Sequence, residues 1–317
     1  MDSDDAREIR RTDPRTIARA ALRELPDPAR IDRRLHAVPP HAVYAVTVDG
    51  VRAVCKVDAH PAGSAGLEGR LVTELGTASS LPVPPAIDVG RHHAILGWLD
   101  GVPDEPTLTP EWARAAGRGL GALHEATAGR YPGPGLLDLE EGESTVRRAG
   151  THAEALADRL ERCGEFLGRY GFDGLARHVA GELRANPHAL VDPGEPVLVH
   201  GNYLLDHVGV RDGRVVAIID FEHAMVGPAG YDLECTAVPT FLQPDRDESL
   251  LEDFLEGYRA VRPVPPRFAD NRPIYRTVLG VTFLRSLYLQ RDYERRAAAD
   301  RRARRLADRI AASLEEW

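Results

Sequence analysis

Imidazole, amide and carboxylate side chains crowd into two neighbouring segments of the chain. The segments VLVHGNYLLDHVGV and VVAIIDFEH together carry His200, Asn202, Asp206, His207, Asp220 and Glu222. Asp212-Gly213 between them is a two-residue hairpin signal, so the second segment should fold back on the first. Mg²⁺ takes oxygen ligands, and Asp220 is the predicted supplier. The pattern therefore predicts a metal-assisted site at one end of a hairpin.

A single lysine, Lys56, stands among 40 basic residues. Because the composition is rich in arginine, retention of one lysine indicates that an ammonium is needed where a guanidinium would not serve. Chance survival of the lysine is the alternative. Lys56 lies near the end of a β-rich run at 51–57, and Asp49-Gly50 joins this run to another at 43–48. The spacing predicts a hairpin that ends close to the ammonium.

A helix is expected after this hairpin. The stretch at 64–79 contains Glu68 and Glu74, and the prolines of LPVPP at 81–85 cannot continue a helix. The rest of this half is predicted as a charged, partly helical segment at 1–38 and a pair of strands at 86–89 and 93–98.

The second half of the chain has the pattern of a helical structure. EWARAAGRGLGALHEA predicts an amphipathic helix, whereas 128–143 is rich in Gly, Pro and acidic residues and predicts a loop. Residues 144–186, and those after about 250, are predicted to be mostly helical. The order implies an α+β fold with a β-rich part at 1–98, a hinge near 97–100, and a larger helical part at 99–317.

Composition limits the classes of partner and compartment. The chain has 317 residues, 43% hydrophobic residues and a net charge of -9, which argues against nucleic acid as the main partner. Cys55, Cys163 and Cys235 form no CxxC pair, so unpaired thiols in a reducing compartment are expected. The sequence contains no signal-peptide pattern and no apolar run of membrane-spanning length, so no membrane association is predicted. A cytoplasmic protein is the expectation, and the sequence does not indicate an oligomeric state.

The two polar segments resemble the catalytic region of the aminoglycoside phosphotransferases and related antibiotic kinases. That family carries His-Gly-Asp, four further residues and Asn, followed downstream by a metal-binding Asp in an Ile-Asp-Phe/Trp-Glu context. Here the loop reads His200-Gly201-Asn202, His207 takes the place of the Asn, and Asp220 in IIDFEHA takes the metal position. A histidine at the later position resembles the macrolide phosphotransferase branch.

The resemblance extends through about residues 40–245. VCKV resembles the strand of the ATP-binding lysine, and LEGRLVTELG resembles the helix of its paired glutamate, with Glu68 preferred over Glu74. AILGWLDGVP resembles the hinge segment whose backbone holds adenine, which assigns that role to Leu96, Trp98 and Leu99. GPAGYDL resembles a family element in which Asp232 is expected to bond the loop backbone rather than react.

The resemblance implies a two-lobed, protein-kinase-like fold and transfer of the γ-phosphoryl group of ATP or GTP to a hydroxyl of a small molecule, with Mg²⁺. An antibiotic is the first expectation for the acceptor. Lys56 would hold the nucleotide phosphates, oriented by Glu68. The predicted catalytic residues are His200, Asn202 and Asp220, and the predicted metal-site residues are Asp220 and His207.

Asn202 departs from the family pattern because an amide cannot act as a base near neutral pH. Three interpretations stay open: another base, with Asp206 or His207 nearest in sequence, a binding protein that has lost catalysis, or a deliberate Asp→Asn change that traps a complex. A metabolic kinase for a sugar or amino alcohol is a further alternative for the function.

Overall fold

The described part of the chain, residues 13–102, 106–289 and 296–314 of a computed structural model, has the predicted α+β architecture. It divides into two compact units. Unit 1 consists of the residues up to Val102 together with Asp138–Thr145 and Val216–Glu222. Unit 2 consists of Pro103–Leu137, Val146–Val215 and the residues from His223 onward. No helix of the described residues carries an apolar stretch long enough to cross a bilayer.

Unit 1 is built on a five-stranded antiparallel sheet in the order β1-β2-β3-β5-β4. Its strands are β1 (Ala29–His36), β2 (His41–Val48), β3 (Val51–Asp58), β4 (Ala86–Gly90) and β5 (His93–Gly97). The predicted hairpin between β2 and β3 is confirmed, and Asp49 and Gly50 both have the positive φ of a two-residue turn, 47° and 77°. The predicted β4–β5 pair is also present.

The segment at 1–38 was predicted to be charged and partly helical, and this prediction was incomplete because the segment also contains strand β1. Residues 1–12 of the segment lie outside the described residues. Only α1 (Pro14–Glu24) is helical there, whereas Ala29–His36 pairs with β2. The sequence ARIDRRLH lacks the alternation of apolar and polar residues that indicates a strand, because at this edge of the sheet most of its side chains lie in solvent.

The two helices of unit 1 serve different parts of the sheet. Ala18, Ala21 and Leu22 of α1 pack in one core with Cys55 and Val57 of β3. Helix α2 (Ala65–Ala78) confirms the predicted helix at 64–79, and it ends before the proline segment as expected. It packs against β3, β4 and β5.

Unit 2 is mostly helical, as predicted. Its helices are α3 (Pro110–Thr127), α4 (His152–Leu167), α5 (Asp173–Ala185), α6 (Ala229–Thr240), α7 (Ser249–Arg259), α8 (Phe268–Leu289) and α9 (Arg296–Leu314). Helix α3 packs closely on α7, and a Cβ at Gly117 would meet the Phe254 carbonyl oxygen at 1.9 Å. Only glycine permits this approach of the two backbones.

Strands of the second half form two further sheets. Their bounds are β6 (Gly135–Glu140), β7 (Glu143–Arg148), β8 (Pro196–Val199), β9 (Val208–Arg211), β10 (Arg214–Ile218) and β11 (Met225–Pro228). Strands β9 and β10 form the predicted hairpin, and the other four are ordered β7-β6-β11-β8.

The hairpin of β6 and β7 shows that two predictions were wrong in part: the loop at 128–143, and the beginning of the helical stretch at 144–186. The rest of that stretch is helical as predicted, in α4 and α5. Glu141 and Gly142 have φ of 52° and 85°, the left-handed conformations of a tight two-residue turn. Acidic residues near this turn masked the short apolar run that precedes it. The Glu-Gly pair was the available signal.

Candidate active site

Lys56 is carried by the middle of β3, on the face opposite to the α1 core. Ala53, Cys55 and Val57 belong to that core, and successive side chains of a strand point to opposite faces. The ammonium of Lys56 is therefore directed toward α2. Glu68, in the first turn of α2, lies with its Oε2 2.6 Å from Lys56 Nζ. Glu74 instead accepts a hydrogen bond from the Ser144 hydroxyl.

Three carboxylates surround this one ammonium. Lys56 Nζ donates to Asp220 Oδ1 at 2.6 Å and lies 3.3 Å from Glu222 Oε2, in addition to its contact with Glu68. Burial by itself lowers the pKa of Lys56, but Asp220, Glu68 and Glu222 outweigh it and hold that pKa well above its usual value. The lysine is charged, and the cluster has more acidic than basic groups. Such an excess favours binding of a further cation.

Asp220 has an uncommon backbone conformation for a residue with a side chain. Its φ of 70° lies in the left-handed region, at a cost of about 1–3 kcal/mol that persists only where the surroundings enforce it. The side chain of the next residue, Phe221, is buried, and the Ile218 N–H donates to the Pro82 carbonyl at 2.8 Å. The Asp220 side chain is 19% exposed to solvent. It is thus held in a strained position and stays accessible to a ligand.

A second layer of contacts, which sequence reasoning missed, supports this cluster through His41. Its Nδ1 lies 2.6 Å from Glu222 Oε2, and its Nε2 accepts the N–H of Ser64 at 3.0 Å. Asp58 Oδ1 accepts the Ala65 N–H at 2.9 Å. The first turn of α2 is therefore tied to the strands, which fixes the helix that carries Glu68. Asp58 stands two residues after Lys56, and that spacing on one strand face was the signal available.

The loop after β8, residues 200–207, is held by Asp232 near the start of α6. Asp232 is fully buried, and its two carboxylate oxygens accept the N–H groups of His200 at 2.7 Å and Gly201 at 2.8 Å. His124 Nε2 lies 3.0 Å from the same carboxylate. Burial raises the pKa of Asp232, but His124, His200 and the Gly201 N–H together outweigh burial and hold that pKa below its usual value. The predicted bonding of Asp232 to the loop backbone is confirmed.

Gly201 is required by the shape of this loop. Its φ is 73°, and a Cβ there would meet the carbonyl oxygen of His223 at 2.5 Å. A side chain would both strain the backbone and displace the neighbouring segment.

His207 and Asn202 contact each other within the loop. His207 Nδ1 lies 2.9 Å from the backbone carbonyl oxygen of Asn202, and since a carbonyl only accepts, Nδ1 carries the proton. In the neutral ring Nε2 is then a proton acceptor, and it lies 3.8 Å from Asp206 Oδ1. His200 is fully buried, and its Nδ1 accepts the Asn202 N–H at 3.2 Å. This arrangement fits a positioning function for His200.

The predicted adenine-binding residues lie at the end of β5. Leu96 is buried in the sheet and is paired with Val54 on one side and Ala86 on the other. Trp98 and Leu99 follow the strand end and are half-buried. The guanidinium of Arg52 lies 3.8 Å from the centre of the Trp98 ring. Leu96 is engaged in the sheet on both sides, and the Trp98 N–H donates to the Arg52 carbonyl at 3.4 Å. The Trp98 carbonyl and the Leu99 backbone are therefore better placed than Leu96 to contact a ligand.

The oxygen donors at Lys56 fit a Mg²⁺ ion that shares its coordination with phosphates. Mg²⁺ usually takes one or two carboxylates of a protein and completes its shell with phosphate oxygens and water. No three His, Cys, Asp or Glu side chains in the described ranges form a cage that could hold a metal alone. Asp220 and Glu222 nevertheless supply carboxylate oxygens beside a cluster that has excess negative charge.

Within each unit, the structure brings predicted site residues together. Lys56, Glu68 and Asp220 meet within unit 1, and His200, Asn202 and His207 meet within unit 2.

One curated relative matches part of the chain. A homoserine kinase from Phenylobacterium zucineum (strain HLK1) is 28% identical over 204 residues, which is 62% of this chain and 58% of that kinase. The match thus spans a little over half of the relative's length.

Solved structures with the same fold cover nearly the whole chain. A protein assigned as a fructosamine-3-kinase from Thermobifida fusca has a TM-score of 0.67 at 20% identity, over 95% of this chain and 99% of that one. A macrolide 2'-phosphotransferase from Brachybacterium faecium has a TM-score of 0.56 at 20% identity, over 92% and 96%. A thermostable aminoglycoside phosphotransferase APH(4)-Ia, in a ternary complex with AMP-PNP and hygromycin B, has a TM-score of 0.63 at 16% identity, over 94% and 98%.

Likeness at such identities shows a shared fold. The family itself is shown by sequence, since the model of the phosphotransferase enzyme family, APH, matches residues 40–270. That range includes Lys56, the loop at 200–207 and Asp220. The chain therefore belongs to the phosphotransferase enzyme family.

Proposed function

We propose that this chain transfers the γ-phosphoryl group of ATP or GTP to a hydroxyl of a small molecule. The observation that carries the proposal is the charge cluster in which the only lysine of the chain lies 2.6 Å from both Glu68 and Asp220. Phosphoryl transfer asks a protein mainly for positioning and for neutralisation of charge on the phosphates. A buried, charged ammonium beside an accessible aspartate meets both needs.

In this proposal unit 1 binds the nucleotide. Lys56 holds the phosphates, and Glu68 keeps its ammonium in place when Asp220 turns toward the metal. Trp98 and Leu99 hold the adenine, while Leu96 supports them from within the sheet. Asp220 would hold Mg²⁺, with His207 as a second and weaker candidate, because imidazole matches Mg²⁺ less well than oxygen does. When bound, Mg²⁺ would neutralise negative charge on the transferring group.

Unit 2 would orient the acceptor through the loop at 200–207. The Asn202 side-chain carbonyl can accept a hydrogen bond from the attacking hydroxyl, but it cannot take the proton. His207 Nε2 is the proton acceptor that the loop geometry favours, because its Nδ1 donates to the Asn202 carbonyl. Asp206, with 60% of its side chain exposed, is the alternative base. General-base help is worth about 10²–10⁴-fold in rate, so a slow enzyme is expected without it.

The acceptor has two candidate classes. An antibiotic follows from the sequence resemblance and would make the chain a resistance or self-resistance enzyme. A small metabolite is favoured by the homoserine kinase, whose sequence matches 62% of this chain. A pseudokinase that binds nucleotide without transferring phosphate is the rival from another class, and Asn202 is the residue that favours it.

The test is turnover with MgATP and MgGTP against a panel of aminoglycosides, macrolides, amino alcohols, fructosamines and hydroxy amino acids. A gain of one phosphoryl group in the mass of an acceptor is the expected result. Binding of nucleotide without phosphorylation of any acceptor, by this chain and by Asn202→Asp alike, would support the pseudokinase. Failure to bind either nucleotide would contradict the roles of Lys56 and Asp220.

A further inference from the structure

Arg70 and Glu74 lie one helical turn apart on a face of α2 that the core of unit 1 does not bury. Leu71, Val72 and Leu75 of the same helix are buried, whereas Arg70 and Glu74 are half-buried. Residues four apart on a helix share one face, so these two side chains can contact the same neighbouring segment.

The turn between β6 and β7 is that segment. Arg70 Nε donates to the Gly142 carbonyl oxygen at 2.6 Å, and Arg70 Nη2 lies 3.3 Å from Glu143 Oε1. The Ser144 hydroxyl donates to Glu74 Oε1. These residues of the turn belong to unit 1, as α2 does. Three consecutive residues of one turn thus meet two positions of α2.

The turn has a backbone shape that keeps these groups in a fixed arrangement. Glu141 and Gly142 both have positive φ, 52° and 85°, so the chain reverses within two residues. The Thr145 hydroxyl donates across the hairpin to the Asp138 carbonyl oxygen at 3.5 Å. The Glu143 side chain is 71% exposed, and exposed ion pairs contribute little. The hydrogen bonds of Gly142 and Ser144 are therefore the contacts that tie α2 to the turn.

The rotation of α2 about its axis decides where Glu68 places its carboxylate. Glu68 Oε2 lies 2.6 Å from Lys56 Nζ. The end of a helical side chain lies about 5–6 Å from the helix axis, so a rotation of about 20° moves it by about 2 Å, which is enough to break a hydrogen bond. Burial of apolar surface is non-directional, whereas hydrogen bonds fix a direction. Arg70 and Glu74 are thus placed to set this rotation.

We propose that Arg70 and Glu74 are positioning residues for nucleotide binding, which fix the rotation of α2 against the β6–β7 turn and so hold Glu68 against Lys56. This inference rests on the proposed function, in which Lys56 holds the nucleotide phosphates. Neither positioning residue touches the nucleotide. Loss of their contacts with the turn weakens the binding of phosphates and spares the part of the site that holds adenine.

The experiment compares a ligand that has phosphates with one that has none. Dissociation constants of MgAMP-PNP are measured by calorimetry, and those of adenosine by competition with MgAMP-PNP. Arg70→Met keeps the aliphatic stem and removes the donors, and Ser144→Ala removes the donor to Glu74. Each should raise the dissociation constant of MgAMP-PNP by about 3–10-fold, the range of one hydrogen bond, and leave that of adenosine unchanged. Arg70→Lys, which can still donate to Gly142, should restore part of the affinity.

Two control variants separate the turn contacts from general effects of charge. Arg33→Met removes one exposed arginine from strand β1 of the same unit, and Glu143→Gln removes the exposed ion pair of the turn. Both should change the dissociation constant of MgAMP-PNP by less than about two-fold. Thermal unfolding identifies a variant that does not fold. If Arg70→Met is such a variant, Ser144→Ala tests the same link from the side of the turn.

A double variant shows whether the turn acts through Glu68, and it decides the question if adenosine binds too weakly to compete. In a Glu68→Gln background, Arg70→Met or Ser144→Ala should add less than about two-fold, because non-additivity marks residues that act through one another. The inference is overturned if both single variants leave the affinity for MgAMP-PNP unchanged, or if they weaken MgAMP-PNP and adenosine by the same factor. Full effects of the turn variants in the Glu68→Gln background would also overturn it.

The inference and the proposed function fail in different ways. Weaker binding of MgAMP-PNP by Arg70→Met, with no acceptor phosphorylated by the wild-type chain, would keep the positioning residues and contradict the phosphotransferase. Phosphorylation of an acceptor by a chain whose nucleotide affinity ignores Arg70→Met and Ser144→Ala would keep the phosphotransferase and contradict the positioning residues. Absence of nucleotide binding by the wild-type chain would overturn both.

Discussion

Two buried polar clusters of this protein use carboxylates in opposite ways. In the ammonium cluster, formed by Lys56, Glu68, Asp220 and Glu222, three acids contact one ammonium, and only Glu222 has a second basic neighbour, His41, among the ion pairs of the described residues. In the loop anchor, formed by Asp232 with His124, His200 and Gly201, a single acid is matched by three donors. An unbalanced cluster can exchange partners when a cation or phosphate arrives, whereas a fully matched one holds its backbone rigidly. The ammonium cluster is therefore suited to binding a ligand, and the loop anchor is suited to holding the loop at 200–207 in place.

Restoring the carboxylate at position 202 should give the largest effect. The loop anchor holds the backbone independently of the residue 202 side chain, so Asn202→Asp places a base in an existing frame. We expect kcat to rise by at most about 10⁴-fold, the upper worth of a general base, and by less than this because His207 already serves as a proton acceptor. Steady-state rates with an accepted substrate provide the measurement.

Two matched variants show which group acts as base in the chain as it stands. Asp206→Asn and His207→Gln, each in the Asn202 background, should differ, with the His207 change lowering kcat more. An unchanged kcat in His207→Gln, together with a large loss in Asp206→Asn, would contradict the role given to His207.

Removal of one acid from the ammonium cluster should separate activity from stability. Asp220→Asn is expected to lower turnover by about 10³-fold, as loss of a charge-stabilising group does. Its free energy of unfolding should change by less than about 1 kcal/mol, because Glu68 and Glu222 still neutralise Lys56. Lys56→Met, which strands three carboxylates, should destabilise by about 3–5 kcal/mol. Denaturant unfolding measures the free energy of unfolding, and initial rates measure turnover. If Asp220→Asn and Lys56→Met destabilised the protein equally, the cluster would not contain more acidic than basic groups.

Removal of the acid from the loop anchor should lower the free energy of unfolding more than removal of Asp220 from the ammonium cluster does. Asp232→Asn leaves donors without their anionic acceptor, and we expect a loss of about 3 kcal/mol, near the lower end for breaking a buried pair. The exposed Asp173→Asn on α5 is the control.

Acid unfolding checks the sign of this effect. The pKa of Asp232 is lowered in the fold, so its stabilisation is present above the usual carboxyl value of 3.8 and is lost as the pH falls through the lower folded value. Asp232→Asn should therefore show a smaller loss of stability on acidification than the wild-type chain. A variant with the same acid dependence as the wild type would contradict the anchor.

Local signals predicted much of the fold. Asp49-Gly50 and Asp212-Gly213 indicated two hairpins that the structure contains, because a two-residue turn depends on backbone preferences next to it. Strand β1 and the β6–β7 hairpin were missed, since their polar residues obscure the alternation that indicates a strand. The roles of His41 and Asp58 were missed as well, because their partners lie on other elements.

The sequence by itself determined the chemical groups and their order: one lysine, the Asp of IIDFEHA, and an amide at position 202 in place of a base. Tertiary structure alone decided which groups meet. Lys56 and Asp220 are 164 residues apart in the chain, and their contact depends on how the sheet and the following segments pack. Charge balance is likewise a property of the folded cluster, because burial and neighbouring charges set the pKa of each group. Only the fold brings three acids to the ammonium of Lys56.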